Sequence, residues 1–221
     1  MQIAIDGPAG AGKSTISKFV ASEMGYLYID TGAMYRAIGY KVLENNISLD
    51  ESEKIDAMAK ESEIELKITD HGQSIYLDGK DVTGKIRTPE VSMAASKVSA
   101  IGGVRRTLVD LQRKIAGNNN VIMDGRDIGT VVLPDAEIKI FLTASAEDRA
   151  MRRYLELKEK GMETSYQEVL EDMQKRDYQD SHRAESPLKA ASDATVIDTS
   201  GQTLGESVQL IVDFIKSRVQ A

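Results

Sequence analysis

The chain has 221 residues, enough for one substantial core and a small appended lobe, with 41% hydrophobic and 29% charged residues. Its 35 acidic and 28 basic residues leave a net charge of −7, which argues against general nucleic-acid binding, because such affinity comes mainly from neutralising phosphates. Cysteine is absent and the two histidines, His71 and His182, lie far apart, which excludes disulfides, a thiolate nucleophile and a Cys zinc site and argues against a histidine metal cluster.

Ile3, Ala4 and Ile5 read as a short buried strand. It runs into Gly7-Pro8-Ala9-Gly10-Ala11-Gly12-Lys13-Ser14-Thr15, which fits the phosphate-binding pattern G-x-x-x-x-G-K-[ST]. Glycines let successive N–H groups turn inward on phosphate oxygens, and the next helix adds its positive end. In this pattern Lys13 reaches the β- and γ-phosphates and the Ser14 hydroxyl ligates Mg²⁺. The loop as a whole, Gly7, Pro8, Ala9, Gly10, Ala11, Gly12, Lys13, Ser14 and Thr15, is the expected ATP site. Ile16, Phe19 and Val20 recur at helical spacing, so a helix is expected to follow the loop.

Leu27-Tyr28-Ile29 is a second strand, closed by Asp30. Thr31 is expected to cap a helix carrying Ala37, Ile38, Tyr40, Val42 and Leu43. Arg36, near that helix N-terminus, is electrostatically misplaced without an anion, unless it is simply solvated. Residues 50–61 read as a short charged helix with Ile55, Met58 and Ala59 inward. Alternation then takes over at Ile64, Leu66 and Ile68 and again at Ile75 and Leu77. This predicts an antiparallel insert with turns at Asp70-His71-Gly72 and Asp78-Gly79-Lys80. His71 reads as a solvated turn residue.

Thr88 and Pro89 open a helix bearing Ser96 and Ser99, and Gly102-Gly103 is expected to break it. A further helix over 104–116 is expected to bury Leu108, Leu111 and Ile115 and to carry Arg105, Arg106 and Arg113 on other faces. Asn118-Asn119-Asn120 is a turn. Val121–Asp124 is a buried strand ending in a carboxylate, the place of a Walker B-type aspartate beside the Mg²⁺ water shell. Arg126 and Asp127 follow, in the crevice where parallel sheets bind ligands.

Residues 138–142 give another strand, and Ser145 caps a helix with Arg149, Arg152 and Arg153 within two turns. Either Glu147, Asp148 and Glu156 neutralise them or they form an arginine-bearing lid over phosphates in transfer. Ser165-Tyr166-Gln167-Glu168 is a capping box opening a helix that delivers Arg176, Asp177, Asp180 and Arg183. Arg176, Asp180 and Arg183 share a face by i, i+4, i+7 spacing. Residues 195–198 are a last strand. Thr203–Glu206 opens a closing helix with Val208, Ile211, Val212 and Ile215 inward.

Strands alternating with helices imply a parallel sheet covered on both faces. Phosphoryl transfer asks mainly for positioning and positive charge, so a phosphate loop with many arginines fits a kinase whose acceptor is itself anionic. No apolar run approaches the roughly 20 residues that span a bilayer. The N-terminus lacks a basic region and enters the loop at once, so a cytoplasmic protein without a signal peptide is expected.

The motifs at 5–14, Asp-Thr-Gly-Ala-Met-Tyr-Arg at 30–36, Val-Arg at 104–105, Asp-Gly-Arg-Asp-Ile-Gly-Thr-Val-Val at 124–132 and Arg-Asp-x-x-Asp-x-x-Arg at 176–183 resemble the bacterial cytidylate kinases, of the nucleoside monophosphate kinase family. The resemblance runs over nearly the whole chain. It implies an α/β P-loop NTPase fold with a small antiparallel β insert and a helical lid. The core would comprise about 1–30, 118–145 and 190–221. The monophosphate-binding lobe would span about 31–117, with the β insert at 64–83, and the lid about 146–185. It implies transfer of the γ-phosphate of ATP, with Mg²⁺, to CMP or dCMP, in a monomer with no nucleic-acid or membrane partner. By this resemblance Ser96, Arg105 and Asp127 read the cytosine edge. Thr31, Tyr35, Arg36, Arg126 and Arg183 hold the phosphate end, and Arg176 and Asp180 hold the ribose, Arg176 also lying near the phosphates. Lys13, Arg126, Arg149, Arg153 and Arg176 would act in catalysis, with Ser14 and, through water, Asp124 at the metal. The family often has Ser where this chain has Thr31, and the hydroxyl is kept. A P-loop small-metabolite kinase and a non-catalytic nucleotide-binding module are the alternatives. A GTPase would want an Asn-Lys-x-Asp motif, and none occurs.

Overall fold

A computed structural model describes residues 1–69, 72–117 and 119–219. The expected turn at Asp70 and His71, and Asn118 of the asparagine turn, lie outside the described residues. Two compact units are present: Met1–Leu27 with Asn119–Ala221, and Tyr28–Asn118.

The first unit is built on parallel strands. β1 (Gln2–Asp6), β2 (Leu27–Asp30, at the boundary of the units), β6 (Val121–Gly125), β7 (Ile138–Thr143) and β8 (Thr195–Asp198) form a sheet in the order β2-β6-β1-β7-β8. The β1–β6, β1–β7 and β7–β8 ladders are parallel. β6 is buried throughout, as its unbroken apolar run requires in a sheet covered on both faces. The register pairs Ile5 with Asp124 and Asp6 with Gly125, so two strands end side by side, each with a carboxylate at its C-terminal end.

α1 (Lys13–Met24) follows the glycine loop, and α6 (Ala146–Glu159), α7 (Tyr166–His182) and α8 (Leu204–Val219) complete this unit. The expected helix follows the loop; Ile16 and Val20 are buried on it and Phe19 is exposed. Ser145 caps α6, and a capping box at Ser165 and Glu168 opens α7. α6 and α7 share a small cluster of Ala150, Val169 and Met173, flanked by an edge-to-face pair of Tyr154 and Tyr166 with centroids 6.3 Å apart.

The second unit holds α2 (Thr31–Glu44), α3 (Ser52–Glu61), the antiparallel strands β3 (Ile64–Thr69), β4 (Gly72–Leu77) and β5 (Lys80–Asp81), then α4 (Pro89–Val98) and α5 (Gly102–Ala116). Its core is aliphatic, with Met34, Ile38, Val42, Ile55, Val98 and Leu108 in one cluster. The β4–β5 turn has Asp78 and Gly79 both at positive φ, 49° and 76°, the conformation that a two-residue hairpin favours.

Three local expectations are corrected here. The cap of α2 is Asp30, not Thr31: its carboxylate accepts from the Ala33 N–H, and Thr31 is the first helical residue. Gly102 and Gly103 do not break a helix; they begin α5, and the break lies at Ser99–Ile101. A β-carbon on Gly103 would fall 1.9 Å from an Asp56 carboxylate oxygen, so the glycine allows α5 to approach α3. Arg105 is buried rather than on an outer face of α5.

Candidate functional site

The phosphate loop begins where β1 ends. Gly7 has φ 147° and a β-carbon there would lie 1.9 Å from the Leu142 carbonyl oxygen, so no other residue fits without moving β7. Gly10 and Gly12 are also left-handed, at 74° and 90°, which turns the loop into the start of α1. Around Gly10 the side chains of Arg149 and Met173 stand 3.1 Å from where a β-carbon would sit, so α6 and α7 close over the loop.

Lys13 is buried and arcs back over the loop, its Nζ donating to the Pro8 carbonyl at 2.7 Å. Burial pushes its ammonium down to about 7, and the Arg126 guanidinium adds to the effect against the opposing carboxylates of Asp124 and Asp6. A polyphosphate in the loop would restore the charged form. The Ser14 hydroxyl donates to Asp124 Oδ2 at 2.8 Å. This places a hydroxyl and a carboxylate together at the ends of α1 and β6, both hard oxygen donors of the kind Mg²⁺ takes. Among the described residues no cluster of three or more His, Cys, Asp or Glu could hold a metal by itself.

Beyond β6 the chain makes a short π-helical turn, Ile128–Val132, which no sequence pattern announced. Asp127, which precedes it, has φ −145° and ψ 27°, outside both helical and strand wells. Arg126 Nε donates to Asp180 Oδ2 at 2.7 Å, and Arg183 stands 3.9 Å from Asp180 and 3.8 Å from Asp127. Burial alone would raise the Asp180 carboxyl; the guanidinium groups of Arg126, Arg176 and Arg183 outweigh it and hold it below the usual carboxylate range. Arg176 also acts on the Lys13 charge. The expected arginine face of α7 is therefore a partly buried network around the buried Asp180, although Arg183 lies just past the helix as its C-terminal cap.

The three arginines of α6 separate. Arg149 is buried, donating to the Ala144 and Ala9 carbonyls at 2.9 and 3.0 Å and pairing with Asp177 at 2.7 Å. It thus joins the phosphate loop to α6 and α7. Arg152 holds the Thr199 and Gln202 carbonyls ahead of α8. Arg153 makes an exposed pair with Glu156, as the neutralised reading expected.

In the second unit, Arg36 pairs with Asp30 at 2.9 Å, so the anion it needs is the cap of its own helix. Thr31 is buried beside it. Arg105 donates to the Ser99 carbonyl at 3.0 Å and lies over the Tyr35 ring, 5.5 Å from its centroid. Ser99 in turn donates to the Ser96 carbonyl at 2.7 Å, which brings Tyr35, Ser96 and Arg105 into one neighbourhood.

Residue patterns missed Asp6, Asp30 and Asp177. Asp6 had a usable signal, because it ends a buried parallel strand just as Asp124 does. Its oxygens accept from Ile128 N and Gly129 N, both at 2.7 Å. Asp177 was seen only as a neighbour of Arg176.

A parallel sheet, a glycine loop ending in a buried lysine, and a serine–aspartate pair at the strand ends define a P-loop kinase of the α/β class. A protein-family model described as Cytidylate kinase matches residues 3–217. Proteins named Cytidylate kinase from Caldicellulosiruptor bescii and Desulfitobacterium hafniense are similar to the chain. The first is 55% identical over 96% of this chain and 94% of its own; the second is 53% identical over 100% and 94%. A solved structure of an uncharacterized protein from Eubacterium ventriosum shares the fold, with TM-score 0.54, 15% identity and coverage of 98% and 99% of the two chains. The chain belongs to the cytidylate kinase family, and is an enzyme, a nucleotide-binding kinase.

Proposed function

We propose that the chain transfers the γ-phosphate of ATP to CMP or dCMP, giving ADP and CDP or dCDP. The observation that carries this reading is the Ser14–Asp124 hydrogen bond of 2.8 Å beside the buried Lys13, within a chain of this family. An oxygen of the CMP phosphate attacks the γ-phosphorus in line. The bond from γ-phosphorus to the β–γ bridging oxygen breaks, and that electron pair leaves with ADP. The attacking oxygen is already anionic, so no general base is needed.

Lys13 meets the β- and γ-oxygens, and Arg126 and Arg176 add charge where the transferring group passes. Ser14 would hold Mg²⁺, with Asp124 receiving its water shell; the ion supplies neutralisation of the phosphate oxygens. Arg153, with Arg149 and Arg152, belongs to a lid of about 146–185 that excludes water while phosphate moves. Thr31, Tyr35, Arg36, Arg126 and Arg183 take the acceptor phosphate, and Arg176 and Asp180 take the ribose. Ser96, Arg105 and Asp127 read the base. Asp127 accepts from the cytosine exocyclic amine, whereas uracil presents a carbonyl there and leaves a buried acceptor unpaired, at a cost of about 1–3 kcal/mol. The enzyme works as a cytoplasmic monomer. Among the described residues no helix is long and apolar enough to cross a membrane.

Product identity tests the reaction. ³¹P NMR of the enzyme with Mg·ATP and CMP should show the β-phosphate signals of both ADP and CDP. Inorganic phosphate alone, or no change, would overturn it.

A further inference from the structure

The turn that carries Asp127 is held from behind by a side chain to which no role has yet been given. Asp6 is the last residue of β1, 4% exposed, and directly precedes Gly7. One carboxylate oxygen accepts from the Ile128 N–H and the other from the Gly129 N–H, each at 2.7 Å. These are the two peptide groups immediately after Asp127. On the other side, Gly125 is fixed in the sheet opposite Asp6 itself. The Asp127 carbonyl accepts from Val131 N and Val132 N, at 2.9 and 3.2 Å, which closes the turn ahead of it. The ladder at Gly125, the two bonds to Asp6, and Arg183, 3.8 Å from Asp127, bound this turn. A β-carbon on Gly129 would be in ordinary contact with Asp6 Oδ2, at 3.4 Å.

We propose that Asp6 is a positioning residue for base selection: its two hydrogen bonds fix the backbone on which Asp127 is presented, and so set the preference for cytosine over uracil from the root of the phosphate loop. The proposal rests on the reading of Asp127 as the base-reading carboxylate. Burial of Asp6 is costly, raising its carboxyl to about 6 against the two N–H bonds that favour the charged form. A costly group held in place by two short bonds suits a positioning role rather than general packing. Asp6→Asn keeps the size but leaves one oxygen, and turns an NH₂ toward the second N–H, donor against donor.

The test is steady-state kcat/KM for CMP and for UMP at saturating Mg·ATP, in the wild type, Asp6→Asn and Asp127→Ala. In Asp6→Asn the CMP-to-UMP ratio should fall about tenfold, within the range for a buried hydrogen-bonding group left without its partner. The KM for ATP should stay within about twofold of the wild type. A ratio preserved in Asp6→Asn but lost in Asp127→Ala overturns the positioning role alone. A ratio preserved in Asp127→Ala overturns the base-reading assignment, and the role of Asp6 with it. A fall in ratio matched by an equal rise in the KM for ATP also overturns it, because the loop as a whole would then have moved. If Asp6→Asn does not fold, Asp6→Glu keeps the charge and displaces the carboxylate by one methylene. A CMP-to-UMP ratio lowered about threefold supports the proposal and an unchanged one overturns it.

Discussion

Replacing Arg149 by methionine removes three contacts from one buried side chain: the donors to the Ala144 and Ala9 carbonyls at 2.9 and 3.0 Å, and the pair with Asp177 at 2.7 Å. Methionine approximates the aliphatic stem, so packing is largely kept. Breaking one partner of a buried pair costs about 3–5 kcal/mol, and each buried carbonyl left without a donor about 1–3 kcal/mol. These terms share one side chain and do not add. Asp177 keeps 22% of its side-chain surface, so water recovers part of the loss. The net expectation is about 3 kcal/mol, or a melting midpoint lowered by about 6–12 °C in a chain of this size. Circular dichroism melts of Arg149→Met and of Arg149→Met/Asp177→Leu read it. The double variant should recover about half the loss, because no charge is left unpaired. A midpoint within about 2 °C of the wild type in Arg149→Met would refute Arg149 as the tie between the phosphate loop and its covering helices.

Arg153 should behave oppositely. Its exposed pair with Glu156 is worth about 0–1 kcal/mol, so Arg153→Ala should melt within about 2 °C of the wild type while kcat falls about tenfold or more; unchanged kcat would remove it from catalysis. Gly7→Ala would put a β-carbon 1.9 Å from the Leu142 carbonyl oxygen, so a loss above about 4 kcal/mol in urea unfolding is expected, and a near-native midpoint would contradict the close packing of loop on β7. Asp6 gives a pH signature. With its folded-state pKa at about 6 against 3.8 when free, the unfolded chain ionises first as pH rises, so the stability Asp6 contributes is full below about 3.8 and is lost as pH rises to about 6. Relative to Asp6→Asn, the wild type should therefore lose up to about 3 kcal/mol between pH 4 and 6, measured by urea titration at each pH. A gain over that window would show the sign to be wrong.

Much of this site could be read from local pattern because its physics is local. A loop of glycines needs no distant partner to be recognised, and an unbroken apolar run ending in Asp124 identifies a buried strand with its carboxylate at the ligand edge. Helix caps at Thr88, Ser145 and Ser165 were equally readable, since each bonds within three residues. What escaped was pairing at long range. Arg126 and Asp180 are 54 residues apart, and Arg149 reaches Ala9 across 140, so nothing nearby marks them as partners. Asp30 was missed as a cap because Thr31, a good capping residue, stands next to it. The π-helical turn has no five-residue period in its sequence. Two of its N–H groups donate to Asp6, which lies 122 and 123 residues away in sequence.

The central claim is phosphoryl transfer to a cytidine monophosphate. The most direct measurement is ADP release from Mg·ATP with CMP, dCMP, UMP and AMP as separate acceptors. Fast turnover with CMP and dCMP and slow turnover with UMP and AMP is expected. Tight ATP binding with no turnover on any of the four, or equal turnover on UMP, would contradict it.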